Sequence, residues 1–405
     1  MPTIAFSRLC VVAALASSAC TAAPSVTVEA TNSLDQGRAQ ARICLPFSNL
    51  KTKGIESEPV VLLGQQRLAV SAFDCDGDQQ TDSWLTHADF GPRETLTFTL
   101  ASSGGARLSP QHATATYAEL AQRVNAEADK EGVLKGGQYV SVNATTLPAN
   151  HTVGDKLYKY EGLGWESARV AYRVYFDARN AIDIFGKQVS RLVLPEVGLD
   201  GGDYHTLADW GMDVLKVGPS LGLGSPASLG QDGRLVGINQ FAGASAEVFN
   251  TPAASGIALN HRGWQSADGP RDTRTEIWIE PDSLLSRVSV HASAPIARWA
   301  TGIVRHGVDE LRGSAKQGEW NYLASYGKQS LADDALGMAI FYRETNSPAV
   351  DNEYNLLQDL GSGNHQHYYL AAAWRQPESQ TKSAFQNWLA ATQKILNHPI
   401  QVVVK

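Results

Sequence analysis

The sequence predicts an all-β-dominated protein with few helices, in which a small N-terminal β-sandwich precedes a larger β domain. Short alternating or apolar runs recur along the chain, and turn-forming residues separate them. Glycine, which marks such turns, accounts for 36 of the 405 residues. One strong amphipathic helical pattern covers residues 383–396, a strand is expected at 400–404, and the length is sufficient for two or three domains.

Residues 1–23 are typical of an export signal. Arg8 precedes an apolar run at 9–16, and small residues follow it. Residues 17–20 resemble a bacterial lipoprotein signal with Cys20 as the lipidated residue, and cleavage after Ala22 is the alternative. Because no later run is long and apolar enough to span a bilayer, we expect an exported protein: periplasmic, an outer-membrane lipoprotein, or extracellular. Its one expected membrane contact is that N-terminal lipid.

The composition disfavours several classes of partner and chemistry. A formal net charge of -7 argues against binding to nucleic acid or to a membrane surface. The sequence contains no Walker loop, no G-x-S-x-G elbow, no H-E-x-x-H motif and no zinc-type Cys/His cluster. No organic cofactor is therefore expected, and the nine Trp and thirteen Tyr residues suit a secreted carbohydrate-binding protein.

Residues 24–105 are predicted to form the small β-sandwich. After export this domain retains Cys44 and Cys75, the number needed for one disulfide in an oxidising compartment. It also contains an acidic loop with carboxylates at alternating positions: Asp74, Asp76, Asp78 and Asp82. Such spacing is typical of a structural Ca²⁺ loop, and Gly77 permits the sharp turn. The alternative is an acidic turn held by its own hydrogen bonds.

Residues 106–155 are predicted to be a linker with one helix, because Tyr117, Leu120 and Val124 recur at helical spacing. The large β domain, which is predicted to carry the functional site, covers residues 156–405. Within it, side-chain alternation divides residues 169–177 into two faces. An apolar face for the core carries Val170, Tyr172, Val174 and Phe176. The opposite face carries Arg173 and Tyr175.

The polar residues of this domain suggest a groove for an anionic sugar. The candidate proton-transfer groups are His205, His261, Tyr204 and Tyr175. The candidate substrate-binding residues are Arg173, Arg262, Lys216, Trp210, Trp264 and Trp278. We expect these side chains to converge on one groove; the alternative for each is a structural or solvated role. His365 and His367 could also share a strand face, but such a pair is weak evidence by itself.

Three motifs in the same order resemble a secreted bacterial family known as domain of unknown function 4861. These motifs are the run Trp165–Tyr175, the segments 203–205 and 211–218, and the acidic loop at Asp74. The resemblance covers about residues 27–400. It implies a galactose-mutarotase-like β-supersandwich for the large domain and a role in polysaccharide degradation. It further implies an oligosaccharide dehydratase that acts on ulvan fragments, and it assigns no catalytic residues.

Dehydration of a uronic acid at a non-reducing end would give a 4,5-unsaturated sugar. The enzyme must remove the C5 proton and expel the C4 hydroxyl, which requires a base and an acid. The substrate carboxylate must also be neutralised by Arg, Lys or a metal. Two other functions remain open: a glycoside hydrolase that uses Glu166 with Asp209 or Asp213, and a non-catalytic carbohydrate-binding protein.

Overall fold

The computed structural model describes residues 25–102, 115–199, 202–345 and 351–405. The predicted export signal and Cys20 lie outside these residues. The prediction of an all-β-dominated fold with few helices is confirmed, because strands far outnumber helices in the part of the chain that is described. No helix among these residues is long and apolar enough to cross a bilayer.

Two small sheets form the N-terminal sandwich. Its elements are β1 (Ser25–Thr31), β2 (Arg38–Pro46), α1 (Phe47–Lys51), β3 (Pro59–Leu63), β4 (Gln66–Leu68), β5 (Ser71–Phe73), β6 (Ser83–Phe90), β7 (Thr95–Ser102) and the C-terminal β27 (Gln401–Val404). One sheet has the order β27-β1-β7-β3-β4 and the other β2-β6-β5. Their inward side chains share one apolar core, which includes Val28, Leu45 and Phe98. The sandwich therefore includes a strand from the far end of the chain.

A six-stranded sheet forms one layer of the large domain, in the order β11-β8-β13-β14-β15-β16. Its strands are β8 (Thr116–Val124), β11 (Gln138–Ser141), β13 (Tyr158–Ser167), β14 (Val170–Tyr175), β15 (Ile182–Lys187) and β16 (Gly211–Asp213). The short strands β9 (Glu127–Ala128) and β10 (Leu134–Lys135) pair with each other beside it.

An eleven-stranded sheet forms the other layer. Its strands are β12 (Ala144–Thr146), β17 (Ala227–Leu229), β18 (Leu235–Gly237), β19 (Gly243–Asn250), β20 (Ser255–Ser266), β21 (Gly269–Ile279), β22 (Leu285–Val304), β23 (Asp309–Arg312), β24 (Trp320–Lys328), β25 (Ala335–Arg343) and β26 (Asn355–Trp374). The main order is β12-β19-β20-β21-β22-β26-β25-β24-β23. The longest pairing joins β22 to β26, although these strands are far apart in the sequence.

The two large sheets pack face to face across a single extensive core. Leu163 and Tyr172 of the six-stranded sheet share this core with Val288 and Leu370 of the eleven-stranded sheet. The indole N–H of Trp165 donates to the hydroxyl of Ser286 across the layers at 2.9 Å. This arrangement is a β-supersandwich, in which each sheet has one face in the core and one face outside it.

The predicted helix in the linker is wrong. Residues 116–124 form β8, which lies within the six-stranded sheet between β11 and β13. Ala118 and Leu120 point into the core while Tyr117 and Glu119 point away from it, which is the period-two pattern of a strand. The C-terminal predictions are confirmed, because α2 (Lys382–Asn397) covers the amphipathic segment and β27 follows it.

The predicted disulfide is confirmed, since Cys44 on β2 is bonded to Cys75 in the acidic loop. The same region joins the sandwich to the large domain. Glu280 accepts from Arg42 at 2.8 Å and lies 2.8 Å from Nε2 of His87. Although burial alone would raise it, the charge of Arg42 lowers the pKa of Glu280 below its usual range. These contacts fix β2 and β6 of the sandwich against the end of β21.

Candidate functional site

Arg173 on β14 lies at the centre of a buried polar cluster on the outer face of the six-stranded sheet. Its guanidinium donates to Asp183 at 2.6 Å, to Asp213 at 2.6 Å and to the hydroxyls of Tyr175 at 2.8 Å and Tyr204 at 3.1 Å. We call these five residues, together with His205, the Arg173 cluster. Every nitrogen of Arg173 is engaged by the protein, so this side chain has no free donor for a substrate carboxylate.

His205 connects the Arg173 cluster to solvent. Its Nε2 lies 3.6 Å from Oδ2 of Asp213, and 56% of its side chain is exposed. Burial, together with the nearby charge of Asp183, raises the pKa of Asp213 well above its usual range. The structure thus brings together four predicted site residues: Arg173, Tyr175, Tyr204 and His205.

Trp210 borders the Arg173 cluster, because it packs on the same Phe185 ring as Tyr204, whereas the other predicted residues lie elsewhere. His261 and Trp264 of β20 are buried in the main core, where burial lowers the pKa of His261 to about 4 and the indole of Trp264 donates to Gly237. Trp210 packs against Phe185 with ring centroids 6.0 Å apart, and Lys216 is exposed. The convergence of His205 with His261 is therefore not seen, because His205 lies in the exposed turn before β16 whereas His261 is buried on β20 of the eleven-stranded sheet, and they share no partner among the described residues.

Glu166 is unsuited to the carboxylate pair that a glycoside hydrolase would need. It is fully buried, forms an ion pair with Lys187, and accepts backbone hydrogen bonds from Val193 at 2.8 Å and Leu194 at 2.8 Å. These contacts hold the segment that follows β15 onto the sheet. The residue has a structural role, since a substrate could not reach it without breaking the buried pair.

A second set of polar side chains lies on the eleven-stranded sheet, on the face that is opposite the core. We call this surface the polar face, and its residues are Arg274, Glu276 and Trp278 on β21, Arg287, Ser289 and His291 on β22, His365, His367 and Tyr369 on β26, Arg343 on β25, and Trp320 on β24. The strand register explains the grouping. Arg287 pairs with Tyr369, Ser289 with His367, and His291 with His365.

Three of the ten histidines of the chain thus meet on one surface. The rings of His365 and His367 are 6.0 Å apart, and His367 contacts Trp320 edge-on at 5.4 Å. Burial, with the neighbouring charges of His365 and Arg287, lowers the pKa of His367 to about 4. His367 is therefore neutral near pH 7, and a neutral imidazole can accept a proton.

The polar face also carries cations that lack enough anionic partners. Arg287 is 3% exposed, yet its Nε and Nη1 have no hydrogen-bond partner among the described residues. Within the described ranges its one carboxylate contact is with Asp74, and that contact is long at 3.5 Å. Arg343 lies over the ring of Trp320, 4.4 Å from its centroid, and is exposed. Unpaired buried donors are costly, so this region is suited to a bound anion.

The acidic loop packs directly on the polar face. Ser289 donates to the carbonyl of Gly77 at 3.0 Å, and the side-chain amide of Gln79 donates to the carbonyls of Arg274 and Ser289, each at 3.2 Å. Gly77 has φ +88°, and a Cβ there would lie 3.0 Å from the Cβ of His367. Glycine is therefore required both by the backbone conformation and by the close approach of the loop to the histidine.

The loop has a donor set that suits a hard cation. Carboxylate oxygens of Asp74, Asp76 and Asp78 lie within 4.8 Å of one another, whereas Asp82 lies outside this group and accepts from Ser83 at 2.9 Å. Burial and the proximity of Asp78 raise the pKa of Asp76. Asp74 also accepts from the backbone of Gly77 and Gln79, as in a hydrogen-bonded acidic turn. The three oxygens fit part of a Ca²⁺ shell, which takes six to eight.

A small pocket elsewhere on the six-stranded sheet has fewer groups suited to catalysis than the polar face. It has a volume of about 230 Å³ and is lined by Arg169 and Arg375. Both cations are already paired, Arg169 with Glu378 at 2.7 Å and Arg375 with Asp334 at 2.9 Å. No imidazole lines it, so it lacks a group for proton transfer near neutral pH.

Most residues of the polar face could not be predicted from the sequence, because their grouping depends on pairing between distant strands. The alternation on β22 and β26 does show which residues share a face within each strand. The pairing of His291 with His365 depends on strands about seventy residues apart, and no local pattern reveals it. Of the predicted residues, Trp278 lies on this face, packed against Phe73 of the sandwich, and the predicted metal ligand Asp74 lies above it.

The sequence matches a described protein family over residues 30–402. The chain belongs to the family of domain of unknown function DUF4861. This match covers most of the chain and confirms the resemblance drawn from the three motifs. No curated protein matches the sequence.

Two solved structures from Enterococcus faecalis show distant similarity. One is a protein in glycosyl hydrolase family 38, with 9% identity and a TM-score of 0.46 over 94% of this chain and 47% of the other. The second is an alpha-mannosidase, with 9% identity and a TM-score of 0.39 over 94% of this chain and 46% of the other. The present chain thus spans less than half the length of these proteins.

Proposed function

We propose that this protein is an exported carbohydrate-active enzyme of polysaccharide degradation. Its activity is that of a hydro-lyase, an oligosaccharide dehydratase that acts on a uronic acid at a non-reducing end, as in ulvan fragments, and leaves a 4,5-unsaturated sugar. The single observation that supports this most strongly is the grouping of three imidazoles with the under-neutralised guanidinium of Arg287 on one sheet face.

The chemistry of the reaction matches what these groups can supply. Removal of the C5 proton places negative charge next to the substrate carboxylate, so cationic donors must stabilise that region. Arg343 is exposed and can donate to the carboxylate, while buried Arg287 adds positive potential beneath it. Trp320 packs under Arg343 and holds it above the sheet.

Proton transfer is assigned to the histidines. His367 is neutral near pH 7 because burial lowers its pKa to about 4, so it can accept the C5 proton. His365, whose ring is 6.0 Å from that of His367, then protonates the departing C4 hydroxyl, which leaves as water. The substrate loses one proton from C5 and one hydroxide from C4, and proton exchange with solvent restores both imidazoles.

The Ca²⁺ site is part of the same proposal. A cation held by Asp74, Asp76 and Asp78 would stabilise the loop that covers the polar face, and no step of the reaction depends on it. The protein residues alone bind and orient the sugar. Lipidation at Cys20 and export likewise remain proposals that rest on the N-terminal sequence.

The Arg173 cluster is the second candidate for the catalytic centre, because exposed His205 lies beside Asp213. Its local charge argues against an acidic substrate, since Asp183 and Asp213 share one guanidinium. The two candidates are separated by comparing His365→Ala and His205→Ala in a dehydration assay that follows ultraviolet absorbance of the conjugated double bond. We expect His365→Ala to lose activity and His205→Ala to retain it. The reverse result would show that the catalytic centre is the Arg173 cluster.

A further inference from the structure

We infer that Tyr369 on β26 is a further catalytic residue, whose hydroxyl donates a hydrogen bond to the carboxylate of the uronic acid and thereby orients the sugar along the strand. This inference rests on the proposed function, because it names the group that faces the substrate carboxylate during dehydration. It also makes the N-terminal sandwich part of the site, since Arg42 on β2 holds that hydroxyl.

Tyr369 belongs to a row of three outward side chains on β26. His365, His367 and Tyr369 lie at alternate positions and therefore share a face of the strand, and all three are half-buried. Residues two apart on a strand are separated by about 7 Å, and the rings of His365 and His367 are 6.0 Å apart. One sugar ring and its carboxylate can therefore contact all three side chains at once.

The order of these side chains matches the order of the reacting groups on a uronic acid. C4 carries the departing hydroxyl, its neighbour C5 carries the proton, and the carboxylate is attached to C5. With His365 at the C4 hydroxyl and His367 at the C5 proton, the carboxylate lies towards Tyr369. The reverse direction would take the carboxylate beyond His365 and away from Arg287, which is the cross-strand partner of Tyr369.

Positive charge is concentrated at the Tyr369 end of the row. Arg287 pairs with Tyr369 across the strands, and its Nε and Nη1 have no hydrogen-bond partner among the residues that the structure describes. The ring of Trp320 packs against Tyr369 with centroids 5.1 Å apart, and Arg343 lies over that indole. A carboxylate next to the Tyr369 hydroxyl would thus lie close to two guanidinium groups.

The contact with Arg42 determines what the Tyr369 hydroxyl can do. A guanidinium has no acceptor, so Arg42 can only donate to the hydroxyl oxygen, through Nη1 at 3.4 Å. The hydroxyl hydrogen is left to donate, and no oxygen accepts it within the described ranges. Arg42 is itself held, because its Nε donates to Glu280 at 2.8 Å. Both side chains are partly exposed, so a substrate can reach the hydroxyl.

A neutral donor at this position assists the removal of the C5 proton. As that proton leaves, negative charge moves onto the carboxylate, so the hydrogen bond from Tyr369 becomes stronger in the transition state. Tyr369 keeps its own proton throughout. His367 takes the proton from C5, and His365 supplies the proton with which the C4 hydroxyl leaves as water.

Tyr369→Phe tests this role, because it removes the hydroxyl and leaves the ring on Trp320. The ligands are the methyl glycoside of glucuronic acid and, as its neutral counterpart, the methyl glycoside of glucose. Calorimetric affinity for the glucuronide should fall about tenfold, because a hydrogen bond to a charged group is lost. The value of kcat should also fall about tenfold or more, because that bond is stronger in the transition state. Affinity for the glucoside should be unchanged.

Tyr322→Phe is the matched control. Tyr322 on β24 belongs to the same sheet and is half-buried, and its hydroxyl has no hydrogen-bond partner in the part of the chain that the structure describes. This variant should keep the wild-type kcat and affinities. The inference is overturned if Tyr369→Phe keeps the wild-type affinity for the glucuronide or the wild-type kcat, if it binds both glycosides equally less well, or if Tyr322→Phe shows the same losses.

Arg42→Lys tests whether Arg42 positions the hydroxyl. Lysine can keep the ion pair with Glu280, but it lacks the planar fork that reaches Glu280 and Tyr369 together. The substitution should lower kcat several-fold in the wild type and have little effect in Tyr369→Phe, where the hydroxyl is absent. Equal losses in both backgrounds would indicate a structural role and would overturn the part assigned to Arg42.

The calorimetric comparison keeps the test independent of turnover. If no uronic acid is dehydrated, the proposed function fails, and the glucuronide is still titrated into wild type and Tyr369→Phe. Weaker binding by the variant would support carboxylate binding by Tyr369 even then. Equal binding by both proteins, or no binding by either, would overturn it.

Discussion

His291 and His365 face each other as cross-strand partners on β22 and β26, and both are half-buried on the polar face. The side-chain amide of Asn364 lies 3.4 Å from Nε2 of His291. Two imidazoles in this register, next to His367, place three side chains that can accept or donate a proton on one sheet face.

Removal of the histidines should abolish catalysis without unfolding the protein. His365→Ala and His367→Ala should each lower kcat by a factor on the order of 10² to 10⁴, because each removes a proton-transfer group. Both side chains are only partly buried, so the melting temperature should change little. His398→Ala, at the end of α2, is the control and should retain wild-type rates. Wild-type rates in both catalytic variants would refute the assignment.

Arg343 should recognise the substrate carboxylate. Arg343→Ala should raise KM for a uronic acid substrate much more than it weakens binding of the corresponding neutral sugar, because the lost donor is cationic. Arg343→Lys keeps the charge but not the planar fork, so it should restore binding in part. The KM values and the calorimetric affinities are measured for both sugars. Equal effects on both sugars would contradict a role in carboxylate binding.

Gly77 should be intolerant of substitution. Gly77→Ala places a side chain at φ +88° and against the Cβ of His367, so it should destabilise the protein by about 1 kcal/mol or more and displace the acidic loop. Chemical denaturation measures the first effect and activity the second. Gly64→Ala, which has φ +61° but no neighbouring atom within 4 Å, controls for the backbone strain alone. A similar loss of activity in both variants would contradict a positioning role for the loop.

The acidic loop should bind Ca²⁺. A chelator should lower the melting temperature of the wild type, and added Ca²⁺ should restore it, because binding to the folded state stabilises that state. Asp76→Asn removes one of the three grouped carboxylates and should remove this sensitivity, whereas Asp82→Asn should retain it. Identical melting of the wild type with and without chelator would leave the loop as a hydrogen-bonded acidic turn.

His261 should make the protein less stable in acid. Burial lowers its folded-state pKa to about 4 from the ordinary value of 6.5, so the unfolded chain binds more protons between these pH values. Stability is therefore lost as the pH falls through this window, by on the order of 3 kcal/mol for a fully developed shift. Denaturation of wild type and His261→Phe from pH 7 to pH 4 checks this. The variant should show a flatter profile, and parallel profiles would contradict the assignment.

The fold could be predicted from the sequence wherever the evidence was local. The alternation that placed Val170 and Tyr172 in the core and Arg173 outside it is confirmed, as are the disulfide and the C-terminal helix. The predicted helix over residues 116–124 is wrong because the spacing of Tyr117, Leu120 and Val124 also fits a strand that is buried on both faces. Tertiary packing, which decides between them, is not visible locally.

The site was harder to predict because it depends on pairing across long separations. Residue types alone drew attention to His205 and Arg173, which both lie against Asp213, but Arg173 is fully occupied by protein partners. Trp264 was predicted to bind sugar because an indole ring can stack on a sugar ring, but its side chain is buried in the core. His365 and His367 became candidates for the site only because the strand register places them beside His291.

The most direct test of the proposed function is mass spectrometry of uronic acid oligosaccharides after incubation with the purified protein. We expect a product that has lost one water from its non-reducing end, with the glycosidic bonds intact, and no such product with His365→Ala. Cleavage into shorter saccharides would indicate a hydrolase, and recovery of every oligosaccharide unchanged would indicate a binding protein; either result would contradict the proposed dehydratase.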